Sequence, residues 1–118
     1  MAPCAAPLRV LFVCSRNRLR SPTAEAVVAG WPDIEAVSAG TAPDAEARVS
    51  ADLVAWADVI VAFEARHRRH LQRAFGPLLR DTRLVVLGVP DDHAFMDPEL
   101  VDRLRARLPD LLGTEPPR

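Results

Sequence analysis

Four short apolar runs, rich in β-branched residues, are spaced along the chain, and each is followed by a segment of helical character. The runs are Leu8 to Val13, Ile34 to Ser38, Asp58 to Phe63 and Arg83 to Leu87. The helical segments are Pro22 to Ala29, Ala51 to Ala57, Glu64 to Phe75 and Pro98 to about Leu112. Neighbouring parallel strands need a crossover, and a helix is the usual one. The order β-α-β-α-β-α-β-α therefore predicts an α/β fold of three layers, a four-stranded parallel sheet with helices on both faces. Leu8 to Val13 is almost unbroken apolar sequence, as expected of a central strand covered on both sides. In such sheets ligands bind beyond the carboxyl ends of the strands, near the point where strand order reverses.

Local signals set the boundaries. Ser21 is expected as N-cap of the first helix with Pro22 at its first position, and Gly30-Trp31-Pro32-Asp33 as its stop. Ser50 is expected to cap the second helix, Gly76-Pro77 to end the third, and Asp97 to cap the last, with Pro98 following it. Thr41 to Val49 has turn-forming composition and reads as a mobile loop; Val89 to Met96 reads as a second loop. On the third helix, Leu71 and Phe75 fall on the core side, and Arg66, Arg68, Arg69 and Arg73 on the wet side. Trp56 is expected in the core and Trp31 at a helix end. With 118 residues, no repeat and no linker, the chain is expected to be one domain over residues 1–118, with flexible ends at 1–7 and 113–118.

A net charge of -1 gives no global pull toward nucleic acid or a membrane surface. No apolar window approaches the ~18 residues of a membrane span, and residues 1–7 lack the pattern of a signal peptide. Two cysteines, Cys4 and Cys14, do not make a disulfide framework, so a reducing cytoplasmic setting is expected.

Chemistry concentrates between the first strand and the first helix, in Cys14-Ser15-Arg16-Asn17-Arg18-Leu19-Arg20-Ser21. The backbone N–H groups of a loop entering a helix can converge on an anion, aided by the positive end of the helix. The same field favours a thiolate at Cys14, the nucleophilic form of cysteine. Arg20 supplies a planar fork matched to two phosphate oxygens. The Ser21 hydroxyl can donate to the sulfur. Asn17, in mid-loop, tolerates a left-handed conformation better than most residues. The alternative is a buried structural cysteine in an ordinary strand-turn-helix corner; such a cysteine sits in apolar company, whereas this one opens a polar loop.

"VLFVCSRNRLRSPTAEAV", Val10 to Val27, resembles the phosphate-binding loop of the low-molecular-weight protein tyrosine phosphatases. Ser38 to Thr41 (SAGT), "WADVIVAFEARHRRHL" and Val89 to Asp92 (VPDD) resemble further segments of that family, in the family's order. The resemblance implies the family's three-layer fold (phosphatase-I type) and a phosphomonoester hydrolase acting through a cysteinyl-phosphate, with neither metal nor other cofactor. Carried over residue by residue, it implies Cys14 as nucleophile, Arg20 as phosphate clamp and Ser21 as support for the thiolate. Ser15, Arg16, Asn17, Arg18, Leu19, Arg20 and Ser21 would bind the phosphate. The general acid would be Asp91, after Val89-Pro90. Asp97, before Pro98, is the second candidate, with helix capping as its competing role, and Asp92 is the third. The expected partner is a phosphorylated protein or small phosphomonoester, and the expected state a monomer or weak dimer.

The chain also departs from the family. It is shorter between Thr41 and the third strand, it has no tyrosine, and His93 and Phe95 stand where an aromatic usually follows the acid. Leu19 occupies the place of a second loop cysteine, and Cys4 lies ten residues before Cys14. Arg16 and Arg18 are either solvated charge or a preference for a substrate with further negative charge. Residues 64–73 read as a solvated helix face, with docking of an acidic partner as the alternative; His67 and His70 read as a surface pair rather than metal ligands. Three other functions compete: a non-catalytic phosphate-binding module, an arsenate reductase, which would need redox cysteines after Cys14, and a phosphocysteine carrier, which has less need of Arg20 and an acid.

Overall fold

The computed structural model describes residues 7–90 and 92–113. Its elements, in chain order, are β1 (Leu8–Cys14), α1 (Arg20–Val28), β2 (Ile34–Gly40), α2 (Ala51–Trp56), β3 (Val59–Ala62), α3 (Ala65–Phe75), a 3-10 turn (Gly76–Leu79), β4 (Arg83–Val86) and α4 (Pro98–Leu112). The strands form one parallel sheet in the order β2-β1-β3-β4. The expected α/β architecture is therefore present, and β1 is central. The chain steps from β1 to one side for β2, then returns across β1 for β3. Strand order thus reverses at β1, and Cys14 is the last residue of that strand.

Alternation along β1 divides the core. Val10, Phe12 and Cys14 face α1 and α4, where they meet Ala24, Val28, Leu100, Leu104 and Leu108. Leu11 and Val13 face the other way, toward Val54 of α2 and Leu71 of α3. Both faces of β1 are sealed, which is why its sequence has no polar alternation. Register with β2 sets Cys14 beside Gly40, and register with β3 sets Val13 beside Ala62.

Several local expectations are corrected. The first helix starts at Arg20, with Leu19 rather than Ser21 at the N-cap position and no side-chain cap. Ser21 is buried in the first turn, and its hydroxyl is spent on other partners. Ser50 does cap α2, accepting from the Leu53 N–H at 3.3 Å. Trp31 is the buried tryptophan, packed among β1, α1 and α4 residues; Trp56 is half-buried, with Arg9 against its ring. Gly113, expected in a flexible tail, closes α4 in a left-handed conformation (φ 69°), and its N–H bonds the Pro109 carbonyl. Residues 1–6 and 114–118 lie outside the described residues, and so does Cys4. Among the described residues no helix is long and apolar enough to cross a membrane.

Candidate active site

Cys14 is buried as a free thiol. Its Sγ lies 2.9 Å from the Ser21 hydroxyl. That hydroxyl donates to Asn17 Oδ1 at 2.9 Å and approaches the Ala39 carbonyl at 3.3 Å. With Cys14 as a thiol, the sulfur can donate to Ser21. With Cys14 as a thiolate, the hydroxyl proton can turn to the sulfur. Asn17 is buried and left-handed (φ 57°), as its place in mid-loop suggested.

The loop from Ser15 to Leu19 is held open from behind. The carbonyls of Cys14, Ser15 and Arg16 accept from the N–H groups of Thr41, Ala42 and Glu46, at 3.0, 2.8 and 3.0 Å. A trans peptide points its N–H opposite to its carbonyl. The N–H groups of Ser15, Arg16 and Asn17 therefore face away from these partners. Thr41 to Val49, read from sequence as a mobile loop, is instead a buttress, pinned also by Gly40 N–H to the Ala47 carbonyl and Val49 N–H to the Gly40 carbonyl. Gly40 is where buttress, β2 and loop meet. A Cβ there would lie 2.5 Å from the Ser15 carbonyl oxygen and 2.9 Å from the Asn17 nitrogen.

Arg20 is buried beneath the loop. Its Nη1 donates to Glu64 Oε1 at 2.6 Å and to the Val89 carbonyl at 2.8 Å, and its guanidinium lies 5.8 Å from the centre of the Phe63 ring. Glu64 precedes α3 and caps it reciprocally with His67: the Glu64 side chain accepts from the His67 N–H, and Nδ1 of His67 accepts from the Glu64 N–H. That bond fixes the tautomer, leaving Nε2–H to donate to the Ser15 hydroxyl at 3.0 Å. The expectation of a surface His67/His70 pair therefore fails for His67, which is fully buried. Its place four residues before Leu71 puts it on the same buried stripe of α3, and the three-residue spacing from Glu64 is that of a capping box.

The Glu64 carboxyl is held well below its ordinary value of 4.5, at about 2, by the hydrogen bond from Arg66 and then by Arg20, against the cost of partial burial. A carboxyl lowered on folding stabilises above its unfolded value and loses that contribution as pH falls through the folded one. Wild type is therefore expected to lose stability between pH 4.5 and about 2 through this group. Glu64→Gln should flatten that limb in a chemical-denaturation series across pH; an unchanged limb would contradict the assignment.

A pocket of about 440 Å³ opens above the sulfur, lined by Cys14, Ser15, Arg16, Arg18, Leu19, Arg20 and Arg66. Five of the seven residues expected to bind phosphate thus border it. Asn17 and Ser21 lie beneath and support it. Arg66 was not anticipated. The late loop is docked against the same corner: the Met96 N–H donates to Thr23 Oγ1 at 2.9 Å, and Thr23 donates to the Leu19 carbonyl at 2.6 Å. Asp91 lies outside the described residues. Asp97, expected as a helix cap, makes no capping bond and instead holds His93 Nδ1 at 2.6 Å, while Asp92 meets His93 Nε2 at 3.1 Å. His93 is buried, and Phe95 projects beside Pro22, Glu25 and Ala26, so neither residue lines the pocket.

No protein-family model and no curated protein matches the sequence, so likeness is carried by structure. A low molecular weight protein tyrosine phosphatase from Streptococcus pyogenes superposes with a TM-score of 0.72 at 18% identity, over 90% of this chain and 91% of that one. The tyrosine phosphatase Wzb from Escherichia coli, solved in complex with phosphate, gives 0.71 at 18% identity, over 89% and 98%. The YwlE arginine phosphatase from Geobacillus stearothermophilus gives 0.63 at 22% identity, over 91% and 89%. The chain has the fold of the low-molecular-weight protein tyrosine phosphatases.

Proposed function

We propose that the protein is a phosphomonoester hydrolase that works through a cysteinyl-phosphate. The observation that carries this reading is the buried Cys14 sulfur, bonded to Ser21 at the floor of a pocket walled by Ser15, Arg16, Arg18 and Arg20. In the first step the Cys14 thiolate attacks phosphorus, an S–P bond forms, and the P–O bond to the leaving group breaks. Loop N–H groups, Arg20 and the positive end of α1 stabilise the equatorial oxygens. In the second step water breaks the S–P bond, releasing inorganic phosphate and the thiolate. Ser21 assists here by donating to the sulfur as charge returns to it.

Asp91 is the proposed acid for the departing oxygen and the base for the attacking water. Two features support it. The chain on either side is tied to the site, at Val89 by Arg20 and at Met96 by Thr23. The competing carboxylates of Asp92 and Asp97 are both engaged with His93. Asp91→Asn should lower kcat on phenyl phosphate by roughly 10²–10⁴-fold and remove one limb of the pH profile. Asp97→Asn should leave that limb in place. Hydrolysis of phenyl phosphate by the wild type, measured by phosphate release, tests the reading itself; a protein inert toward aryl phosphates contradicts it. Among the described residues, those lining the pocket include no aromatic side chain.

A further inference from the structure

We infer that the preferred substrate carries a second anionic group, carboxylate or phosphate, close to the phosphate that is cleaved. The inference rests on the phosphatase reading above and names a substrate class for it. The scissile phosphate is served by the loop N–H groups and Arg20, in the depth of the site. Three further arginines border the same pocket: Arg16 and Arg18 from the loop, and Arg66 from the start of α3. All three are exposed, so they stand at the mouth rather than the floor. The conformation of the loop puts Arg16 and Arg18 there. Buried, left-handed Asn17 turns inward to Ser21, and the residues on either side of it are left outside.

Among the described residues, carboxylates pair with part of this collar. Glu46 meets Arg18 at 3.3 Å, and Glu64 is shared between Arg66 at 2.8 Å and the buried Arg20. Among the described residues no carboxylate is paired with Arg16. Among the described residues Leu19 is the only large apolar side chain on the wall, and it offers an apolar or aromatic leaving group little surface to cover. A guanidinium instead offers paired donors to a carboxylate or phosphate. The collar thus suits a leaving group that is itself an anion.

The test compares kcat/KM for phenyl phosphate with that for two derivatives, meta-carboxyphenyl phosphate and meta-phenylene bisphosphate. The two derivatives distinguish a carboxylate from a phosphate as the second anion. Differences in leaving group cancel when each variant's ratio is set against the wild-type ratio. The wild type is expected to favour at least one derivative by about fivefold or more, the scale of one or two exposed ion pairs. That preference should fall toward unity in Arg16→Gln and further in Arg16→Gln/Arg18→Gln. It should also fall as salt rises from ~0.01 M to ~1 M, over which the screening length shrinks from ~30 Å to ~3 Å. Arg73→Gln, an exposed arginine on α3 outside the pocket, should keep the full ratio. Hydrolysis of all three esters with equal efficiency, or a preference unmoved by both salt and Arg16→Gln, overturns this inference and leaves the phosphatase reading intact. A wild type inert toward all three overturns both.

Discussion

Cys14→Ser is expected to fold like the wild type and to hydrolyse aryl phosphates about 10⁴-fold more slowly or worse, a loss typical of removing a covalent nucleophile. The replacement is nearly isosteric at a site only 3% exposed, and a serine hydroxyl can keep the bond to Ser21. Stability should therefore change little while activity disappears. The environment explains the asymmetry. The Ser21 hydroxyl lies 2.9 Å from the sulfur, and the first turn of α1 has no side-chain cap, so its N–H groups are not taken by a capping side chain. A serine alcohol is far harder to ionise, and among the described residues the side chain bonded to Cys14 is another hydroxyl, that of Ser21. Melting curves together with phosphate-release rates would check both halves. Retention of most activity in Cys14→Ser would remove the basis of the covalent mechanism.

The second large effect is expected at Gly40, which no part of the chemistry touches. Any side chain there would overlap the Ser15 carbonyl and the Asn17 nitrogen, and those are backbone atoms that cannot swing aside. The constraint is space, not a special φ. Gly40→Val must push either β2 or the phosphate loop by a substantial fraction of an ångström. Overpacking of this kind costs ~1–3 kcal/mol of stability. A shift of ~1 Å in a catalytic loop can cost ~10²-fold in rate. Gly40→Ala should show the same changes in milder form. If both variants keep wild-type kcat/KM and midpoint of unfolding, the loop is not held as tightly as the buttress implies.

These two positions differ in how visible they are in the sequence. Cys14, Arg20 and Ser21 lie within eight residues, and one strand-loop-helix junction brings them together, so local pattern suffices to group them. The sheet was legible for a similar reason, since four apolar runs alternating with helical segments leave few topologies. What the sequence concealed lies at long separation. Glu64 reaches Arg20 across 44 residues, and His67 reaches Ser15 across 52. The local signals that distinguish His67 from the exposed arginines beside it are its register with Leu71 and its capping-box spacing from Glu64.

The segment Thr41 to Val49 misled for a different cause. Turn-rich composition reports that a backbone is irregular, and says nothing about where its N–H groups go. Here three of them hold the loop carbonyls. Asp97 shows the limit of capping signals: its position before Pro98 marked the start of α4 correctly, while its carboxylate went to His93. Trp31 stands at the end of α1 as expected and is also buried, because the chain after α1 folds back over the face of β1, α1 and α4, while Trp56 packs against the other core cluster only in part.

In the proposed mechanism phosphate passes through Cys14. The most direct measurement is an acid quench of the wild type during turnover of phenyl phosphate, followed by mass spectrometry of the peptide containing residues 14–20. The mechanism requires a phosphate on the sulfur of Cys14 in the wild type, enriched in Asp91→Asn if that variant slows hydrolysis of the intermediate more than its formation. Steady turnover with no phosphorylated Cys14, together with direct transfer of phosphate to water in both proteins, would contradict it.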